Sequence, residues 1–81
     1  MDGVSIRIDN QSRYCLNDLH RASGRQPLTP ERWLQLRYVR ELIEEISEHG
    51  GPINIIHEGP DKGIYAIENV FYNYGIWLFE D

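Results

Sequence analysis

The sequence contains little of what several protein classes need. It has one cysteine, so neither a disulfide framework nor a pair of zinc-binding cysteines is available. No apolar run approaches the ~20 residues that a membrane span requires, and no basic segment followed by an apolar one marks a secretory signal. These absences exclude a disulfide-rich secreted domain and a membrane-spanning protein, and they predict a cytoplasmic location without membrane contact.

Positive charge is also scarce. Eight Lys and Arg residues stand against thirteen Asp and Glu, which gives a net charge of −5, the opposite sign from a typical nucleic-acid-binding domain. The distribution along the chain is uneven: residues 1–40 carry seven arginines against four acids, whereas residues 41–81 carry one lysine against nine acids. Because all but one of the basic residues are arginine, bidentate contacts with phosphate or guanine are favoured over diffuse attraction.

The 81 residues are 41% hydrophobic and 11% aromatic, which predicts one folded domain over residues 1–81 with one small core. Residues 4–8 alternate between apolar and polar and predict a half-buried strand. A turn over residues 9–12 then predicts a second short strand over residues 13–16.

Residues 13–24 combine a strand end with a short helix. Asn17 is predicted to be the N-cap, because its side-chain oxygen can accept an unpaired backbone N–H. Leu16, Leu19 and Ala22 fall on one face, and Gly24 suits a left-handed exit. A helix this short is not stable alone in water, so we expect it to pack against the rest of the domain and to present polar side chains outward.

A longer helix is predicted from Glu31 to about His49. Thr29 can cap it and Pro30 suits its first position. Apolar residues then repeat with helical spacing, and Trp33 lies beside this apolar stripe rather than at its centre. The helix is predicted to end at Gly50-Gly51-Pro52.

The remainder predicts a hairpin and a last helix. Residues 53–57 and 64–66 form two strands around a turn rich in glycine, proline and aspartate. From Ile67 to Leu78 apolar residues recur at helical spacing. The expected fold is α+β: short N-terminal strands, two consecutive helices, a β-hairpin and a C-terminal helix. Such an arrangement can insert a helix into a DNA groove and place the hairpin as a wing on the flanking backbone.

This order of elements resembles the KilA-N domain, which occurs in phage and large-DNA-virus proteins and is similar to the fungal APSES DNA-binding domain. The resemblance covers nearly the whole chain and depends on five features in the same order. They are Ile6-Arg7-Ile8, Tyr14 with the run from Asn17 to Gly24, Trp33, Gly63-Ile64-Tyr65, and Tyr74-Gly75-Ile76-Trp77-Leu78. The chain departs from the family pattern at Ile64, where the family has threonine, and in carrying acids in its hairpin.

The resemblance implies a non-catalytic DNA-binding regulator of phage or prophage origin, of the antirepressor or transcription-regulator type, acting in the cytoplasm of a bacterial host. Double-stranded DNA is the expected partner, and a homodimer is expected because basic contacts are few. The candidate nucleic-acid-binding residues flank the junction of the two helices and the tip of the hairpin: His20, Arg21, Arg25, Gln26, Arg32, Arg37 and Lys62.

The acidic second half of the chain supports an alternative function of a different class. A protein-binding module could inhibit or redirect a host protein, for instance by DNA mimicry, through carboxylates facing a basic target. The residues of this alternative interface are Glu41, Glu44, Glu45, Glu48 and Glu58.

Neither a cofactor nor an enzymatic reaction is expected. His20, His49 and His57 lack the spacing of metal ligands. Cys15 lies between a tyrosine and a leucine, which predicts a buried small hydrophobic side chain rather than a nucleophile.

Overall fold

A computed structural model describes residues 5–46 and 51–80. In chain order the elements are β1 (Tyr14–Cys15), α1 (Leu16–Ser23), α2 (Pro30–Leu34), α3 (Arg37–Glu45), β2 (Ile53–Ile56), β3 (Gly63–Ala66) and α4 (Glu68–Phe79). The three strands form an antiparallel sheet in the order β1-β3-β2. The α+β class predicted from the sequence is therefore confirmed.

The predicted strand over residues 4–8 is wrong in its described part. Residues 5–8 contribute one isolated bridge, between Ile8 and Tyr14, and a hydrogen bond from the Cys15 N–H to the Arg7 carbonyl at 2.9 Å. The backbone N–H of Arg7 instead donates to the Asp18 carboxylate at 2.9 Å. Because this donor is taken by a side chain of α1, the ladder of strand hydrogen bonds does not extend.

The predicted helix from Glu31 to His49 is interrupted, and residues 47–49 lie outside the described part. It consists of α2 and α3, separated by Gln35 and an extended Leu36. Trp33 and Val39 are both fully buried, although positions six apart on one continuous helix point in directions about 120° apart. The break allows both side chains to reach the same core. The predicted start is confirmed, since Thr29 Oγ1 accepts the Arg32 N–H at 3.2 Å.

The prediction that Asn17 caps α1 is also wrong. Cys15 occupies the N-cap position without a side-chain hydrogen bond, and Asn17 is the second residue of the helix. The acceptor Asn17 Oδ1 is used across the fold, where it binds the backbone N–H of Ile64 at 2.7 Å. At the other end, Gly24 closes α1 in the left-handed conformation as predicted, with φ of 73°.

One core lies between the sheet and the four helices. All four residues of β3 are buried, and α4 contributes Val70, Tyr74 and Leu78, as its spacing predicts. The Tyr74 ring lies 5.1 Å from that of Trp33, and its hydroxyl donates to the Leu28 carbonyl at 2.7 Å. Burial raises the pKa of this hydroxyl. The C-terminal helix therefore fixes the loop that joins α1 to α2.

No helix within residues 5–46 and 51–80 is both long enough and apolar enough to cross a bilayer.

Candidate nucleic-acid interface

Two adjoining surface depressions form a groove between α1 and the β2–β3 hairpin, and we call it the α1 groove. Their volumes are about 280 and 470 Å³, and Asn17 and Arg21 line both. The smaller depression continues along α1 towards the loop after it, and the larger continues to the hairpin. The polar and charged residues of the groove are Arg7, Asn17, His20, Arg21, Gln26, Glu31, His57 and Lys62.

A buried carboxylate holds two of these cations. The Asp18 side chain is 2% exposed. It accepts the Nε–H of Arg7 at 2.9 Å on one oxygen, and on the other it accepts Nη2 of Arg7 at 3.2 Å and Nη1 of Arg21 at 3.0 Å. Burial alone raises the pKa of Asp18, but the hydrogen bonds from Arg7 and Arg21 outweigh burial and hold the pKa at about 2. Asp18 therefore remains ionised and orients both guanidinium groups.

Arg7 joins three parts of the fold. Besides Asp18, its guanidinium donates to the Pro60 carbonyl in the hairpin turn at 3.2 Å and contacts the Cys15 sulfur at 3.4 Å. It also lies 5.8 Å from the centre of the Tyr65 ring. The hydrogen bond to Asp18 raises the pKa of Arg7 above its ordinary value. Arg7 thus has a structural role, although its side chain also lines the groove and is 34% exposed. The Arg21 side chain is 63% exposed.

His20 fastens the loop after α1. Its Nε2 lies 3.1 Å from the carbonyl oxygens of both Arg25 and Gln26. Because two carbonyls can only accept, Nε2 carries a hydrogen and donates to them. The imidazole therefore shapes the groove wall and fixes the position of Gln26.

The predicted residues separate into two groups. His20, Arg21, Gln26 and Lys62 line the α1 groove. The other three, Arg25, Arg32 and Arg37, lie outside its lining. The Arg32 Nη1 donates to the Pro27 carbonyl at 3.2 Å, and Arg37 forms an exposed ion pair with Glu41 at 3.3 Å.

Four polar or charged residues of the groove were not predicted from the sequence: Arg7, Asn17, Glu31 and His57. The alternation of residues 4–8 suggested Arg7 only as a strand residue, and Asn17 was assigned to a cap. Within the described groove lining, three cations (Arg7, Arg21 and Lys62) stand against Glu31 at the rim and Asp18 beneath, a surplus of one positive charge.

Most of the acidic residues of the alternative interface lie on one helix. Glu41, Glu44 and Glu45 are exposed on α3, and Glu58 is exposed in the hairpin turn. Glu48 lies outside the described residues. Cys15 is fully buried, and in the described part of the chain no group of three His, Cys, Asp or Glu side chains is arranged to hold a metal ion.

Comparison with known proteins identifies relatives over the full length of the chain. The model of the KilA-N domain family matches residues 1–81. The chain is similar to Protein kilA of Escherichia phage P1, with 37% identity over 78 residues, which are 94% of this chain and 29% of that protein. The chain therefore spans less than a third of the length of this curated relative. No solved structure matches the chain at a significant level.

Proposed function

The chain belongs to the KilA-N domain family, and from this premise we propose that it is a DNA-binding regulatory domain of phage or prophage type that acts without catalysis. KilA-N is a family of DNA-binding domains rather than of enzymes. The finer assignment, to antirepressors or transcription regulators acting in a bacterial host, is part of the proposal. So are the partners: double-stranded DNA and a second copy of the chain.

The observation that carries the proposal is the exposed guanidinium of Arg21 in the α1 groove. The Asp18 carboxylate lies 3.0 Å from Nη1 of this guanidinium and orients it. Part of the entropy of ordering the Arg21 side chain is therefore lost on folding rather than on binding. Lys62 lies across the same groove on the hairpin. A helix side chain and a hairpin side chain that line one groove resemble the helix-and-wing contacts of DNA-binding domains.

We propose His20, Arg21, Gln26 and Lys62 as the DNA-facing residues of the groove. Arg25, Arg32 and Arg37 are proposed as flanking phosphate contacts. Of these, Arg37 contributes least, because Glu41 already neutralises its charge.

Titration of a fluorescent duplex at several salt concentrations tests the proposal. Arg21→Ala should weaken binding and lower the salt dependence of the affinity, because the groove loses an exposed cation that faces the DNA. Arg40→Ala is the matched control, because Arg40 is an exposed arginine of α3 outside the groove. Absence of duplex binding by the wild-type chain at low salt would contradict the proposal.

The net charge of −5 favours a second candidate function. In it, the exposed glutamates of α3 and Glu58, together with Glu48, contact a basic protein of the host. The two candidates respond differently to one experiment. In a gel shift with a basic host protein as competitor, Glu44→Lys would strengthen DNA binding under either candidate function. Only under the second candidate function would the same variant abolish binding of the host protein.

A further inference from the structure

The hydrogen-bond partners of Asn17 suggest which base the α1 groove recognises, an inference that depends on the proposed function. The side-chain oxygen of Asn17 already accepts the Ile64 N–H at 2.7 Å. No hydrogen bond joins its Nδ2 to another residue in the ranges 5–46 and 51–80, and the side chain lines both depressions. The oxygen is held against the hairpin backbone with one of its two lone pairs occupied, whereas both hydrogens of Nδ2 are available to a ligand.

The approach of the hairpin to α1 keeps the amide in this orientation. A Cβ on Gly63 would lie 3.5 Å from Asn17 Oδ1 and 2.9 Å from the Cys15 sulfur. Only a glycine therefore lets β3 come close enough for Ile64 to bind the oxygen. The orientation of Asn17 is set by the backbone of another element, and not by the ligand.

Arg21 lies four residues after Asn17, so the two side chains are neighbours on one face of α1. A guanidinium has donors and no acceptor, and Asp18 binds one of those donors. Asn17 and Arg21 therefore form an adjacent pair of side chains that present mainly hydrogen-bond donors to the groove.

An asparagine with both amide groups free can bind adenine, by accepting from N6 and donating to N7. In Asn17 this pair is disfavoured, because the Ile64 N–H already holds the oxygen and only its second lone pair remains. The guanine edge presents two acceptors, N7 and O6, in the major groove. The carboxylate of Glu31, which also lines the groove, disfavours a phosphate at this place. We propose that Asn17 donates to N7 of a guanine and Arg21 to its O6, and that the pair discriminates against adenine, which has a donor in place of O6.

The variant Asn17→Asp isolates the donor. It keeps an oxygen for the Ile64 N–H and replaces the amide NH2 group with a second oxygen, which is an acceptor. Asn69→Asp is the matched control: Asn69 is the second residue of α4, and its Oδ1 likewise accepts a hydrogen bond, from Asn73 Nδ2 at 2.9 Å. Both variants add the same charge at the same helix position, and thermal melts verify that both fold.

Binding to a short G·C duplex is compared with binding to the same duplex containing 7-deazaguanine, which lacks the N7 acceptor. We expect the wild type and Asn69→Asp to bind the substituted duplex about tenfold more weakly. For Asn17→Asp we expect weaker binding to the normal duplex and a ratio between the two duplexes close to one.

The other outcomes overturn the inference. Equal wild-type affinity for the two duplexes would mean that guanine N7 is not read. If Asn17→Asp changes neither the affinity nor the ratio, the amide has no role in binding. If it weakens binding to both duplexes equally, so that the ratio stays as in the wild type, the amide contacts a phosphate instead. If the wild type binds neither duplex at low salt, the proposed function fails, and this inference fails with it.

Discussion

Replacing Asp18 with asparagine tests the role given to the buried carboxylate. The ordinary pKa of the group is 3.8, and in the folded chain it is about 2. A pKa that is lower in the folded state means that the ionised form stabilises the fold, by about 1.4 kcal/mol for each pH unit of difference. At pH 7 the ionised carboxylate therefore contributes about 2.4 kcal/mol to the free energy of unfolding.

The contribution has a defined pH window. Because the folded-state pKa is depressed, the stabilisation is complete above the unfolded value of 3.8 and is lost as the pH falls through about 2. At pH 3 about half of it remains. The asparagine side chain of the variant would have no charge to lose, so the stability difference between wild type and Asp18→Asn should shrink by about 1 kcal/mol between pH 7 and pH 3.

Thermal and urea unfolding, followed by tryptophan fluorescence and circular dichroism at both pH values, measure this difference. At pH 7 we expect Asp18→Asn to melt about 10–20 °C lower than wild type. Asp61→Asn, at an exposed turn position, is the control and should change the melting temperature little. A deficit for Asp18→Asn below about 1 kcal/mol at pH 7, or one equally large at pH 3, would refute the reasoning.

Two further substitutions test the packing that surrounds the groove and the core. Gly63→Ala should lower the free energy of unfolding by about 2–4 kcal/mol, because the new Cβ would lie 2.9 Å from the Cys15 sulfur at a φ of +154°. The control is Gly59→Ala, at a position with a positive φ but open space around it, which should cost about 1 kcal/mol. Equal costs of the two substitutions in urea titrations would contradict the clash. Tyr38→Phe should cost about 1–2 kcal/mol, because the hydroxyl is the acceptor for the indole N–H of buried Trp33 at 3.1 Å; an unchanged midpoint and tryptophan emission would show that this hydrogen bond contributes nothing.

Some elements could be predicted because their residues repeat with a period that only one structure fits. The hairpin has two apolar runs around a glycine-rich turn, and α4 repeats at helical spacing from Ile67 to Leu78. The start of α2 at Thr29-Pro30 is likewise a local signal. In each case the contacts that decide the structure lie within a few residues of one another.

The wrong predictions concern residues whose partners are distant in sequence. The helical spacing of the apolar residues alone predicts one helix through Gln35 and Leu36. The break arises because Trp33 and Val39 share a core with α4. The N–H of Arg7 binds a carboxylate eleven residues away, which replaces the predicted strand pairing. Local propensity carries no information about either contact.

The residues of the candidate site also divide into those that local sequence predicts and those whose partners are distant in sequence. Arg21 and Lys62 could be proposed from residue type and position, because one lies in the last turn of a short helix and the other in the hairpin turn. The role of Asn17 could not, since its partner Ile64 is 47 residues away. A sequence signal for the groove does exist: an asparagine and an aspartate together in the first turn of a helix, where a cap needs only one of them.

The strand order has a consequence for how the domain is made. β1 enters the sheet through β3, so Tyr14 meets Ala66 far along the chain, and β2 joins the sheet through β3 as well. During synthesis the sheet cannot close until residue 66 has left the ribosome. Until then the nascent chain exposes the apolar side chains of α1, the kind of surface that makes an unfinished chain prone to aggregation.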